Sequence, residues 1–103
     1  MAAKQQNTAY RIVEQSWMAK IAAWKLGAHA VAFVLGKTIY LFNVSKEDFL
    51  ENETWLRHEL CHIRQFERYG FFNFILRYLW ESLRHGYYNN RYEKEARAAE
   101  NLL

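Results

Sequence analysis

The sequence predicts an α+β domain, and three observations carry that expectation. Two β-rich runs, 28–35 and 38–44, flank Gly36-Lys37, the grammar of a hairpin with a two-residue turn. Stretches with helical periodicity stand before and after them. The 103 residues, 51% hydrophobic and 17% aromatic, supply one core, so a single domain over 1–103 is expected, and no linker or repeat interrupts it.

Taken in order, residues 8 to 26 read as an amphipathic N-terminal helix. Ile12, Val13, Trp17, Ile21 and Trp24 form its stripe, and Gly27 stands at the C-terminal cap. The hairpin follows, as a small antiparallel sheet. In "SKEDF", Ser45 caps a short turn or the start of a helix. Asn52 to Tyr69 is the next helix, closed by Gly70. Leu56, Leu60 and Ile63 make one of its stripes; Trp55, His58, His62, Phe66 and Tyr69 make the adjacent one. Residues 71–85 give a third helix, apolar around most of its circumference and read as a core helix. Asn89 or Asn90 caps a last helix, "RYEKEARAAENLL".

Composition excludes several function classes. The net charge of +3 is modest, and Arg57, Arg64, Arg77, Arg84 and Arg97 are dispersed, so no nucleic-acid partner is expected. Cys61 is the sole cysteine, which rules out an internal disulfide framework and points to a reducing compartment. The N-terminal residues lack the apolar core of a cleaved secretory signal. The expected location is cytoplasmic, with peripheral placement at a membrane as the variant. The apolar run around 71–83 is too short to span a bilayer and shares its helix with Arg77, Glu81 and Arg84. Beyond a core role, it offers a docking surface for a membrane or for a second copy of the chain.

The chemistry lies in "TWLRHELCHIRQFERYG", where His58, Glu59 and His62 stand in the order H-E-x-x-H. Four residues turn a helix about 400°, so the two imidazoles sit about 40° apart and about 6 Å along the axis. That offset lets both reach one tetrahedral zinc ion. Glu59, one residue beyond the first ligand, can take a proton from an attacking water and pass it to a leaving amine. A catalytic zinc site usually has a third protein ligand. The metzincin pattern is excluded, because Gln65 and Arg68 occupy the positions it needs for glycine and histidine. Downstream, "NNRYEKEARAA" supplies Glu93 and Glu95, about 200° apart on a helix, so that only one can join. With Asn90 as cap, Glu93 also falls where a capping-box glutamate would fold back.

His58-Glu59-x-x-His62, followed on a later helix by Glu93 in an E-x-x-A setting with Ala96, resembles the gluzincin metallopeptidases. More narrowly, it is similar to minigluzincin-like domains, in which hairpin, motif helix and glutamate helix form nearly the whole protein; the likeness covers about residues 28 to 100. It implies a minimal zincin-like fold, a zinc (Zn2+) cofactor with Glu93 as third ligand and Glu95 in reserve, and hydrolysis of peptide or protein substrates. By analogy, an edge strand beside the motif helix pairs with extended substrate, and 38–43 is the candidate. One departure stands out: Arg97 occupies the place of an aspartate that commonly orients a metal-bound histidine, a loss worth about 10–100-fold in affinity if nothing replaces it.

Tyr87, Tyr88, Tyr92 and His85 are candidate donors to a developing oxyanion, each with packing, or helix-end stabilisation for His85, as its alternative. His29 is expected to be a half-buried sheet histidine, and Cys61 a small buried hydrophobe. The rival reading of the whole chain is a catalytically weak or inactive zincin-like domain serving as a protein-interaction or membrane-docking module.

Overall fold

The computed structural model describes residues 9–101. Along them run β1 (Arg11–Val13), α1 (Trp17–Leu26), β2 (Val31–Leu35), β3 (Thr38–Phe42), α2 (Lys46–Glu51), α3 (Glu53–Tyr69), α4 (Phe71–His85) and α5 (Arg91–Ala99). The result is an α+β fold of five helices and a three-stranded mixed sheet among the described residues.

The N-terminal segment departs from the single helix expected over 8–26. Thr8, where that helix would begin, lies outside the described residues. Ile12 and Val13 instead belong to β1, which pairs in parallel with β3 through Ile12 opposite Ile39. Gln15 in the left-handed region (φ 51°) breaks the chain direction. Ser16 then caps α1 by accepting the Ala19 N–H at 3.2 Å. The helix also presents the opposite face from the one expected. Ala19 and Ala23 are buried against Val31 of the sheet, while Trp17, Ile21 and Trp24 are exposed. Small side chains let the helix axis approach the sheet, a close fit that the tryptophans would have prevented.

The hairpin forms with β2 antiparallel to β3, Phe33 opposite Tyr40, and Gly36 in the turn at φ 64°. Strand order β1-β3-β2 makes β3 central. The expected edge strand 38–43 is therefore paired on both sides, and β1 and β2 are the edge strands among the described residues. The expected antiparallel sheet is likewise mixed, because β1 adds in parallel. Side chains alternate across the sheet. Val34, Ile39 and Leu41 face Phe49, Ile63 and Phe66 in the main core, and Val31 faces α1.

Each helix boundary has a local cause. Asn52 caps α3 by accepting the Trp55 N–H at 3.1 Å, and Gly70 ends it at φ 85°, donating its N–H to the Phe66 carbonyl at 2.8 Å. Helix α4 begins at once and packs through Phe74, its one fully buried residue, against Phe66 and Tyr92. It is not the core helix that its composition predicts. No helix among the described residues is long and apolar enough to cross a membrane. Cys61 of α3 meets Ala96 and Ala99 of α5. These small residues bring the two helices close, which sets the position of Glu93.

Candidate metal centre

Helix α3 projects His58, Glu59 and His62 toward a cleft of about 310 Å³. One wall is β2, another is Ile75 and Leu79 of α4, and Ala22 and Leu26 of α1 border the far side. Tyr78, Tyr87 and Glu93 complete the polar lining beside the motif.

Glu93, 3% exposed, reaches both imidazoles. Its Oε1 lies 3.1 Å from His58 Nε2 and its Oε2 lies 3.2 Å from His62 Nε2. One donor atom from each of the three residues falls within 4.8 Å of the others. Bonds of about 2.0–2.1 Å in a tetrahedral zinc site separate neighbouring ligand atoms by about 3.4 Å. The spacing of the trio is therefore right for such an ion, and two imidazoles with one carboxylate are donors that suit zinc.

The opposite edge of each ring is also held. His58 Nδ1 lies 2.7 Å from Glu100 Oε2. A carboxylate only accepts, so without metal His58 carries one proton on Nδ1 toward Glu100 and a second on Nε2 toward Glu93; the Nε2 proton is the one a metal would displace. His62 Nδ1 lies 2.8 Å from Gln65 Oε1. The Gln65 amide nitrogen donates to the Tyr92 carbonyl at 3.1 Å and to Glu95 Oε1 at 2.7 Å, which fixes its oxygen toward the histidine. Both Nε2 atoms are thus directed at one point. Neither support was expected from the sequence, although both were within reach of helical arithmetic. Gln65 lies three residues beyond His62, and Glu100 lies seven beyond Glu93, about two turns along the same face.

Arg97 has other work: it donates to the Tyr88 carbonyl at 2.6 Å and lies 4.0 Å from the centroid of the Tyr88 ring. The orienting carboxylate comes instead from Glu100, whose own backbone carbonyl accepts from Arg57 Nε at 3.1 Å.

Glu95 is turned away from the trio and lies beside Gln65 and Arg68. The capping-box alternative for Glu93 does not form. Asn90 caps α5 by accepting the Tyr92 N–H at 2.8 Å, and its own backbone N–H goes to the Tyr87 carbonyl. Glu93 Oε2 instead accepts a short hydrogen bond from the Tyr78 hydroxyl. Tyr78 is a site residue that the sequence did not flag; its only trace is the four-residue step from buried Phe74.

The other candidates separate by position. Tyr87 stands at the cleft beside Tyr78, Tyr92 is buried in the core, and Tyr88 is exposed beneath Arg97. His85 belongs to a different surface hollow, with Glu81, Asn89, Arg91 and Lys94. His29 is exposed on a bend before β2, where Asn43 donates to its carbonyl at 3.0 Å, so it is not the half-buried strand residue expected.

Electrostatics reflect this crowding. Burial works against a charged His58, but Glu93, Glu59 and Glu100 outweigh it and raise its pKa to about 9. His62 is raised against the same opposition, chiefly by Glu93. Glu93, despite burial, is held well below the usual carboxylate range by the two imidazoles and the Tyr78 hydroxyl. Burial pushes Glu59 up to about 7, partly offset by His62 and His58. Burial and then Glu93 keep Tyr78 protonated beyond the ordinary tyrosine range and raise Tyr87 to about 12. Burial raises the Cys61 thiol to about 11, which leaves it un-ionised and inert at neutral pH.

No family profile, curated protein or solved structure matches this chain.

Proposed function

We propose that this chain is a zinc-dependent metallopeptidase of the gluzincin kind, with His58, His62 and Glu93 as ligands and Glu59 as general base. One observation carries the reading: three donors from two helices converge at ligand spacing, with a fourth, motif-encoded carboxylate beside them in the same cleft. Zinc held there would supply a Lewis acid for the substrate carbonyl and bring the pKa of a water to about 7.

The chain's own residues do the rest. Glu59 takes a proton from the attacking water at its carboxylate and returns it to the leaving amine. Glu100 and Gln65 accept from Nδ1 of the two imidazoles, so Nε2 of each is the atom that would turn to the metal. Tyr78 and Tyr87 keep hydroxyl protons at the cleft, and Tyr87, which is not committed to a short bond, is the better oxyanion donor. The open edge of β2 runs along the cleft and offers main-chain groups to an extended peptide. A cytoplasmic location fits the lone, buried thiol.

The experiment is metal analysis of untagged protein followed by peptide hydrolysis. The protein should bind about one zinc per chain, lost in His58→Ala and His62→Ala. Glu59→Gln should keep the zinc and abolish turnover. Undiminished turnover in that variant would remove Glu59 from its role. Failure of the unaltered protein to retain zinc near neutral pH would remove the metallopeptidase reading itself.

A further inference from the structure

Helices α1 and α4 both turn apolar faces to solvent. On α1, Trp17, Ile21 and Trp24 recur at three- to four-residue steps, and Trp24 is 78% exposed. Lys20 and Lys25 stand about 70° to either side of that stripe. On α4, Phe72, Leu76, Leu79, Trp80 and Leu83 form a stripe about 100° wide, with Leu83 at 80% exposure. Arg77 and Arg84 follow one margin of it, and the Arg84 guanidinium lies 5.7 Å from the Trp80 ring centroid. Leu26 of α1 and Leu79 of α4 both line the cleft, so the two faces border the same opening.

The charged residues that flank the two stripes, Lys20, Lys25, Arg77 and Arg84, are all basic. Helix α1 has no acidic residue. Helix α4 has only Glu81, which is turned toward α5 and accepts the Arg91 N–H at 3.1 Å. Tryptophan, phenylalanine and leucine on one face with a lysine and arginine rim is the pattern of a helix lying in the headgroup region of a bilayer. There the apolar groups reach the acyl boundary and the cations meet phosphates. A second copy docked through the same faces would set the two cationic rims against each other, and neither stripe carries a carboxylate to meet them.

We propose that the exposed faces of α1 and α4 dock this protein on an anionic lipid surface. The docking depends on neither the metal nor the chemistry at His58, so it stands or falls separately from the hydrolase reading.

The test is co-sedimentation of the full chain with vesicles of phosphatidylcholine and phosphatidylglycerol in equal parts, against phosphatidylcholine alone. The mixed vesicles should bind at least about tenfold more protein, with a blue shift of tryptophan emission and release as salt is added. Trp24→Ser combined with Leu83→Ser should cut that partition about tenfold or more, with zinc content and circular dichroism unchanged. Equal partition to the two vesicle types, or none to either, overturns the proposal. It is also overturned if the unaltered protein is a dimer by sedimentation that Leu83→Ser disperses, because a second copy then covers the face. The lipid and salt comparisons use the unaltered chain, so they decide the matter even if a variant misfolds.

Discussion

The α3–α5 interface and the outer faces of α1 and α4 solve opposite problems. At the interface, buried polar groups are held by partners: Glu93 by two imidazoles and Tyr78, His58 by Glu100, and His62 by Gln65. Among the described residues, no buried side-chain nitrogen or oxygen lacks a partner. On the outer faces, large apolar groups are exposed among the described residues. A stable fold normally buries the second kind of group and exposes the first. Both places invert that rule.

The largest effects are expected in the buried network. Glu93→Ala should destabilise the metal-free protein by about 3–5 kcal/mol, because it strands two imidazoles in a buried site. Urea unfolding near pH 6 is the measurement, and a loss below about 1 kcal/mol would show that the network is not structurally coupled. Phe74→Ala should cost about 3–5 kcal/mol by emptying the contact between α4 and the core.

Supports of the ligands come next. Glu100→Ala and Gln65→Ala should each weaken zinc binding by about 10–100-fold while leaving its stoichiometry intact. Glu95→Ala should have the smaller effect, since Glu95 touches the site only through Gln65. Competition with a zinc indicator separates the three.

Acidity sharpens the same contrast. His58 titrates from an ordinary 6.5 up to about 9 in the fold, so its contribution to stability is complete below about 6.5 and disappears as pH rises through about 9. Glu59, raised from 4.5 to about 7 by burial, also binds its proton more tightly in the folded state, so stability falls between those values. Glu93 acts the other way, but its contribution is lost only in strong acid. The metal-free protein should therefore lose melting temperature steadily from about pH 5 to about pH 9. Zinc should oppose that loss most at the alkaline end, where the imidazoles no longer hold protons against it. A flat profile without metal would mean that these groups titrate normally.

The smallest effect belongs to the outside. Leu83→Ser should change folding stability by no more than about 0.5 kcal/mol, although Phe74→Ala lies on the same helix. A large loss at Leu83 would show that this face is covered after all.

Much of the architecture was written in local signals. Asn52, Gly70 and Asn90 bound their helices where they stand because caps and left-handed glycines act over a few residues. Gly36-Lys37 turned the hairpin for the same reason. Helical spacing put His58, Glu59 and His62 on one side of α3 with no help from the rest of the chain.

Everything that depended on which surfaces meet required the tertiary structure. An apolar stripe on α1 could not reveal that two alanines would be buried in place of its tryptophans, nor could "TIYLF" reveal that β1 would occupy its second edge. The family resemblance prefers Glu93 and keeps Glu95 in reserve, but helical spacing alone excludes only their joining together. Small residues at Cys61, Ala96 and Ala99 bring α5 against α3 in the one orientation that turns Glu93 inward. Periodicity fixes which side chains share a face, but the choice of face to bury follows from volumes and partners distant in the chain, and those meet only once it is folded.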